Sequence, residues 1–374
     1  MESYDVIVIG AGMVGAAIAY GLAGRNCKVL VLDGADNDYR AAKANFGLVW
    51  VQGKGFGVPD YQRISRRAAR MWPAFGEQLA DESGMALDYE NRGGLSFCVG
   101  GTEWDERQAR LASWNAQVPE EAACTRMLDR SQLQSLLPGV RLGADVTGAS
   151  LGETDGHVNP LKLLAALHKA LLVRGAKLIS DAPATAIDPL SGGGFAVHAG
   201  NLRYEGAQVV IAAGLGSGRL GRMVGLDAPL RPQRGQILVT ERLAPLLPLP
   251  ASGIRQTGEG TVMIGVTQEE VGYDLHTTTS AAVQMSRRAT RVLPDLAKAR
   301  LVRQWSCLRI MTPDGCPVYA QSSSHPGAWI ALCHSGVTLA SFHAGPIADA
   351  VFHSALGAEF NFFHHRRFDV STIG

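Results

Sequence analysis

The 374-residue chain is short of the features that mark several large protein classes. Charge of one sign is missing: 35 Lys and Arg stand against 34 Asp and Glu, for a net charge of +1. That balance gives no reason to expect nucleic acid or an anionic membrane surface as a partner. The basic stretch Arg63, Arg66, Arg67, Arg70 and the pair Arg287, Arg288 have helical spacing and are expected on solvated helix faces. Cysteine is scarce, with six residues and no CxxC pair, so no iron–sulfur cluster is expected in this chain. A chain this long needs no disulfide framework, and reduced thiols in a cytoplasmic protein are expected. No metal-ligand spacing is present, and the adjacent His364 and His365 are expected to diverge at the surface. Long apolar runs are absent too. Charges or glycines interrupt them before about 18 residues, which excludes a transmembrane helix. Met1–Tyr4 leads directly into a strand without a basic leader or cleavage site, so no signal peptide is expected. Repeats, low-complexity tracts and long linkers are missing.

What is present is apolar and rich in turns. The chain is 46% hydrophobic and carries 44 glycines spread through apolar segments, which favours a compact fold long enough for two domains. Val6–Ile9 is a β-branched run suited to a parallel strand buried on both faces. It stops at Gly10-Ala-Gly12-Met-Val-Gly15, a small-residue helix follows over 16–24, and Lys28–Leu32 reads as a second strand. Gly10 allows the tight turn, Gly12 lets a backbone approach a pyrophosphate, and Gly15 permits close packing of helix on strand. The helix N-terminus offers free N–H groups to the phosphates. Asp33 lies 18 residues after Gly15, at the strand tip, where a carboxylate can accept hydrogen bonds from a ribose diol. The motif predicts dinucleotide binding without separating NAD from FAD.

Further along, helices are expected over 60–83, 102–117, 129–137, 160–174, 278–293 and 339–356. Strands are expected over 85–99 with a turn at 92–94, and over 176–180, 195–197, 202–204, 208–213, 230–241, 260–267 and 328–333. Strand–helix units at both ends and in the middle, separated by β-rich segments, predict an α/β fold. Its Rossmann-like nucleotide-binding domain would be discontinuous (1–85, 140–225 and 305–374). An antiparallel α+β substrate domain (86–139 and 226–304) would be inserted into it.

Several segments, in order, resemble the D-amino-acid oxidase-like flavoproteins, which include glycine oxidase, sarcosine oxidase and amine dehydrogenases. They are the loop Ala44-Asn45-Phe46-Gly47-Leu48, then Gly156-His-Val-Asn-Pro160, Ala182-Pro-Ala184, Ile211-Ala-Ala213-Gly214 and Pro232-Gln-Arg-Gly235-Gln236. Near the C-terminus come Cys307-Leu-Arg309-Ile-Met-Thr312-Pro313-Asp314 and Ser335-Gly336-Val337-Thr338-Leu339. The resemblance implies FAD as cofactor. Residues 44–48 would lie near the flavin, Ala184 on the adenosine side, and the 335–339 amides at the flavin pyrimidine carbonyl.

The resemblance also assigns Arg309 as the anchor for a substrate carboxylate, a role that suits a planar fork of two charge-assisted bonds. His334 would line the pocket or relay a proton. Cys307 aligns with the cysteine that tethers flavin in the sarcosine branch, a buried free thiol being the plainer expectation, and Ala340 stands where that branch has lysine. The stretch Asn45–Gly55 is similar to the FAD-binding subunits of heteromeric opine oxidases and D-hydroxyproline dehydrogenases. Trp50, Gln52 and Lys54 within it would shape the pocket or a partner face. This implies hydride transfer from the α carbon of a small amino acid to flavin, with electrons leaving through other subunits that carry FMN, a second flavin or iron–sulfur. The alternatives are a glycine or sarcosine oxidase using oxygen, and a Rossmann NAD-dependent dehydrogenase.

Overall fold

The computed structural model describes residues 3–34 and 41–369. Its largest sheet is built on the N-terminal strand Ser3–Ile9, which pairs in parallel with Val29–Leu32 on one side and Leu202–Ile211 on the other. Lys177–Ile179 and Ala328–Leu332 extend the parallel array, and Val318–Gln321 closes one edge antiparallel. The four residues Val29–Leu32 are buried throughout, as a central strand covered on both faces must be. Leu202–Ile211 is one strand where two were expected. Its first half leaves the parallel array to pair with the antiparallel strands Phe195–Ala199 and, beyond it, Ala184–Pro189.

The helix Met13–Ala23 buries every residue but Val14, because its alanines and glycines let neighbours approach on all sides. A Cβ on Gly21 would sit 2.1 Å from the Ala344 carbonyl oxygen of the C-terminal helix. The expected helix over 339–356 is broken. Ala340–Phe342 is α-helical, His343–Ile347 widens to a π turn, and Ala348–Phe352 resumes the α-helix. Pro346, which lacks an N–H to donate, lies inside the widened turn.

A second, antiparallel sheet runs Ile254–Gln256, Thr261–Gly265, Arg231–Arg242, Leu301–Met311. The three-stranded sheet Gly94–Val99, Val146–Gly152, Thr125–Asp129 joins it through a bridge between Leu95 and Ala251. Residues 85–91, expected as strand, hold only a bridge at Glu90. The helix Pro59–Ser83 starts on proline and ends at Gly84, whose positive φ of 61° closes it. Its Trp72 indole donates to the carbonyls of Val337 and Thr338 at 3.2 and 2.9 Å. The basic stretch on this helix is not uniformly solvated. Arg66 is buried against the Trp114 ring, 4.5 Å from its centroid. His364 and His365 do not diverge, for their rings lie 4.6 Å apart and His365 is buried with Nδ1 3.0 Å from the Asp227 carbonyl oxygen.

Candidate cofactor and substrate site

The C-terminal tips of the parallel strands open into one cavity of about 720 Å³. Gly10 and Ala11 follow the first strand, Asp33 the second, Ala212 to Gly214 the Leu202–Ile211 strand, and Cys333 to Thr338 the last. This is the crevice where open α/β sheets bind their ligands.

The adenosine end is built from local chain geometry. Gly10 has φ +103°, and a Cβ there would meet the Ala212 carbonyl oxygen at 2.4 Å. A Cβ on Gly15 would collide with the Gly10 carbonyl oxygen at 1.9 Å, so the helix can pack onto the turn only through glycine. Gly12 differs from both. A Cβ there would touch only the Ala42 side chain, at 3.7 Å, and Gly12 lines the cavity. The helix that follows has no side-chain cap, which leaves its first N–H groups for a bound anion. The Asp33 carboxylate accepts from the Ala11 amide at 3.1 Å and lies on the cavity wall. An uncapped helix end, a bare glycine and an acid at the next strand tip fit the pyrophosphate and ribose of a dinucleotide.

Of the residues expected at the site, Gly10, Gly12, Asp33, Ala44, Asn45, Phe46, Gly47, Leu48, Ala184, Ala213, Gly214, Arg309, His334, Ser335, Gly336, Val337 and Thr338 all line this one cavity. Gly15 and Leu339 do not reach its wall. They are buried behind it, Gly15 under the turn and Leu339 in the core. Asn45 shapes its own loop, donating to the Ala42 carbonyl and accepting from the Gly47 amide, at 2.8 and 2.9 Å.

Arg309 comes from the Leu301–Met311 strand and is half-buried. It donates to Gln233 Oε1 at 3.3 Å and to the Thr267 carbonyl at 2.9 Å, and has no carboxylate partner among the described residues. Burial holds its pKa below the usual guanidinium value. His334 is pushed down to about 3, first by burial and then by the fields of Lys54 and Arg309. His334 is exposed to the cavity whose wall it helps to form. The ring is neutral at physiological pH. The Cys307 thiol is raised by burial and lines the same end.

Sequence reasoning missed several wall residues. Ser252, Val266, Gln268 and Tyr273 come from the antiparallel sheet and its loops, and no local motif marks them. Trp50 and Lys54, expected to shape the pocket or a partner face, do line the cavity, whereas Gln52 is buried behind it. Asp155, which carried no signal in the sequence, pins their loop by accepting from the Val51 amide at 2.5 Å and from Gln52 Nε2 at 2.8 Å.

The Rossmann-like sheet, the dinucleotide cradle and the cationic far end together define a flavoprotein oxidoreductase, and the chain belongs to the FAD dependent oxidoreductase family, whose model matches residues 5–350. It is 39% identical to an opine oxidase subunit of Agrobacterium tumefaciens strain Ach5, over 98% of both chains. It is 38% identical to the corresponding opine oxidase subunit of Rhizobium meliloti, over 99% of both. The crystal structure of glycine oxidase from Geobacillus kaustophilus superposes with a TM-score of 0.89 at 25% identity, over 98% of this chain and 99% of that one. FAD is thus the cofactor, and the NAD-dependent alternative falls.

Proposed function

We propose that the chain oxidises the carbon–nitrogen bond of a small amino acid of the opine or hydroxyproline class and passes the electrons to partner subunits. The carrying observation is Arg309, a half-buried guanidinium on the cavity wall with no acid to neutralise it among the described residues. A substrate carboxylate supplies the missing charge, and the planar fork fixes its orientation. FAD, when bound, accepts the hydride. The protein's own task is to hold the substrate with one Cα–H toward the cofactor. Gln233 and the Thr267 carbonyl hold the guanidinium in place. Neutral His334, which feels the fields of Lys54 and Arg309, can accept a hydrogen bond from the amine without repelling it. No protein base is required once the amine is neutral.

Likeness to two proteins named as opine oxidase subunits supports the opine class and a multi-subunit enzyme. In this reading residues 86–139 and 226–304 form the substrate-binding part, since Gln233, Thr267 and Gln268 come from it. The test is anaerobic bleaching of the flavin absorbance with octopine, nopaline, D-hydroxyproline, D-proline, sarcosine and glycine. Bleaching by one of the first three, with slow recolouring in air, is expected. Bleaching by glycine or sarcosine with fast recolouring replaces the proposal with an oxygen-using oxidase.

A further inference from the structure

The cavity has an unbalanced charge. Among the described residues its walls hold one acid, Asp33 at the adenosine end, against Lys54, Arg219 and Arg309. Arg219 belongs to the adenosine side, where it donates to the carbonyls of Ala184 and Thr185. The far end therefore carries two cations. The fields of both reach His334, whose ring borders the same space, so they serve one chamber and not two separate sites.

Lys54 has an unused donor as well as an unmatched charge. An ammonium carries three N–H groups. One donates to Ser335 Oγ at 2.7 Å and one to Thr338 Oγ1 at 3.4 Å, and both partners are neutral hydroxyls. No described residue takes the third or forms an ion pair with it. Asp155, the acid whose field reaches it, spends its oxygens on Val51 and Gln52. The placement is held from several sides. The Lys54 amide donates to the Val51 carbonyl at 2.9 Å, the Trp114 indole donates to the Lys54 carbonyl at 2.7 Å, and Ser335 Oγ is shared with the buried Tyr61 hydroxyl at 2.8 Å. Burial lowers the lysine's pKa to about 8, which still leaves most of it charged at pH 7. Taking an ammonium out of water without a counter-ion is unfavourable, and an anionic ligand offsets that penalty.

We propose that Lys54 binds a second substrate carboxylate, and that the substrate is a secondary amine flanked by two carboxylates. This deepens the function proposed above and rests on Arg309 as the anchor of the first carboxylate. In an N-(carboxyalkyl) amino acid the two acids are separated only by a Cα–N–Cα unit, so two anchors at one end of a cavity can hold both at once. The amine then lies between the anchored ends, and neutral His334, which both cations influence, accepts its N–H. A molecule fixed at two points cannot turn about a single carboxylate, which keeps one Cα–H toward the cofactor. Two carboxylates also match the two cations in charge. A ring amino acid with one carboxylate, such as hydroxyproline, fills Arg309 and leaves Lys54 unmatched. Lys54 therefore selects open-chain dicarboxylates over it.

The test uses the FAD-loaded protein and two unreactive ligands, pyrrole-2-carboxylate and pyrrole-2,5-dicarboxylate. The second has the same order of carboxylate, carbon, nitrogen, carbon and carboxylate as the proposed substrates. Binding is titrated through the flavin spectrum for wild type, Lys54→Met, Lys54→Gln and Lys54→Arg, and KM and kcat for octopine are measured on the same proteins. Wild type should bind the diacid about tenfold or more tightly than the monoacid. Met and Gln should lose roughly ten- to a hundredfold in diacid binding, the worth of one charged hydrogen bond, and raise KM for octopine by a similar factor. Their monoacid binding should change little, and arginine should keep most of the diacid preference. Gln retains a hydrogen-bond donor to Ser335 and stands in if Met fails to fold. The proposal is overturned by a wild type without diacid preference, or by a preference that survives in a folded neutral variant. An equal loss for both ligands also overturns it and makes Lys54 a structural support of the chamber. Each of these results leaves Arg309 as an anchor. Failure of wild type to bind either acid would instead remove Arg309 from that role, and with it the reading on which this one rests.

Discussion

Gly235 and Arg309 share one volume: a Cβ on Gly235 would stand 2.8 Å from Arg309 Nη2 and 2.9 Å from its Cζ. The two lie on paired antiparallel strands, with Gly235 opposite Cys307 and Gln233 opposite Arg309. The bare glycine is what lets the guanidinium lie flat over the neighbouring strand. Gly235→Ala should tilt it out of position while the sheet and the flavin stay in place. A tenfold or greater fall in kcat/KM, carried mostly by KM, is expected, about 1–2 kcal/mol. Unchanged KM in a correctly folded variant would show that the guanidinium does not orient the substrate.

Arg309→Leu removes the anchor itself. Loss of a charged, two-pronged hydrogen bond costs about 3 kcal/mol, or roughly a hundredfold in kcat/KM. The protein should stay yellow, since its cradle for the pyrophosphate lies at the other end of the cavity. Stopped-flow reduction of the flavin reads this directly. Reduction at the wild-type rate would remove Arg309 from the substrate site.

The three glycines of the N-terminal turn should separate into two behaviours. Added bulk at Gly10 or Gly15 strikes backbone at 2.4 and 1.9 Å, whereas bulk at Gly12 enters the cavity. Gly12→Val should therefore melt as a folded protein and lack absorbance near 450 nm. Gly10→Val and Gly15→Val should lose soluble, folded protein altogether. A yellow Gly12→Val protein would contradict the placement of the pyrophosphate.

These contrasts show why only part of the site was legible in the sequence. Gly10, Gly12, Gly15 and Asp33 act within one strand–helix–strand unit, so their spacing carries the geometry. The contacts between Lys54 and Ser335, and between Trp72 and the Val337 carbonyl, span 281 and 265 residues. No spacing rule reports such pairs, and only the resemblance suggested that the two loops meet. Arg66 failed for a similar reason, because helical spacing could not reveal that Trp114 would cover it. The C-terminal helix was legible in extent, but not its widening around Pro346, which lies where Gly21 of the first helix meets Ala344.

Asp155 ties stability to pH in an uncommon direction. Burial raises its carboxyl from 3.8 to about 6, outweighing the N–H groups of Val51 and Gln52 that favour the ionised form. Between those two values the folded protein holds a proton that the unfolded chain has lost. The contribution of this group to stability is thus fully present below the unfolded value and is lost as pH rises through about 6. Asp155→Asn cannot titrate, so its unfolding free energy should lack this slope. Urea unfolding of both proteins at pH 5 and pH 7.5 should show wild type losing about 1 kcal/mol more than the variant across that interval. Parallel pH dependences would mean that the loop carrying Trp50 and Lys54 is held by a carboxylate already ionised at pH 5, and the strength of its hold on the flavin-side wall would then be independent of pH.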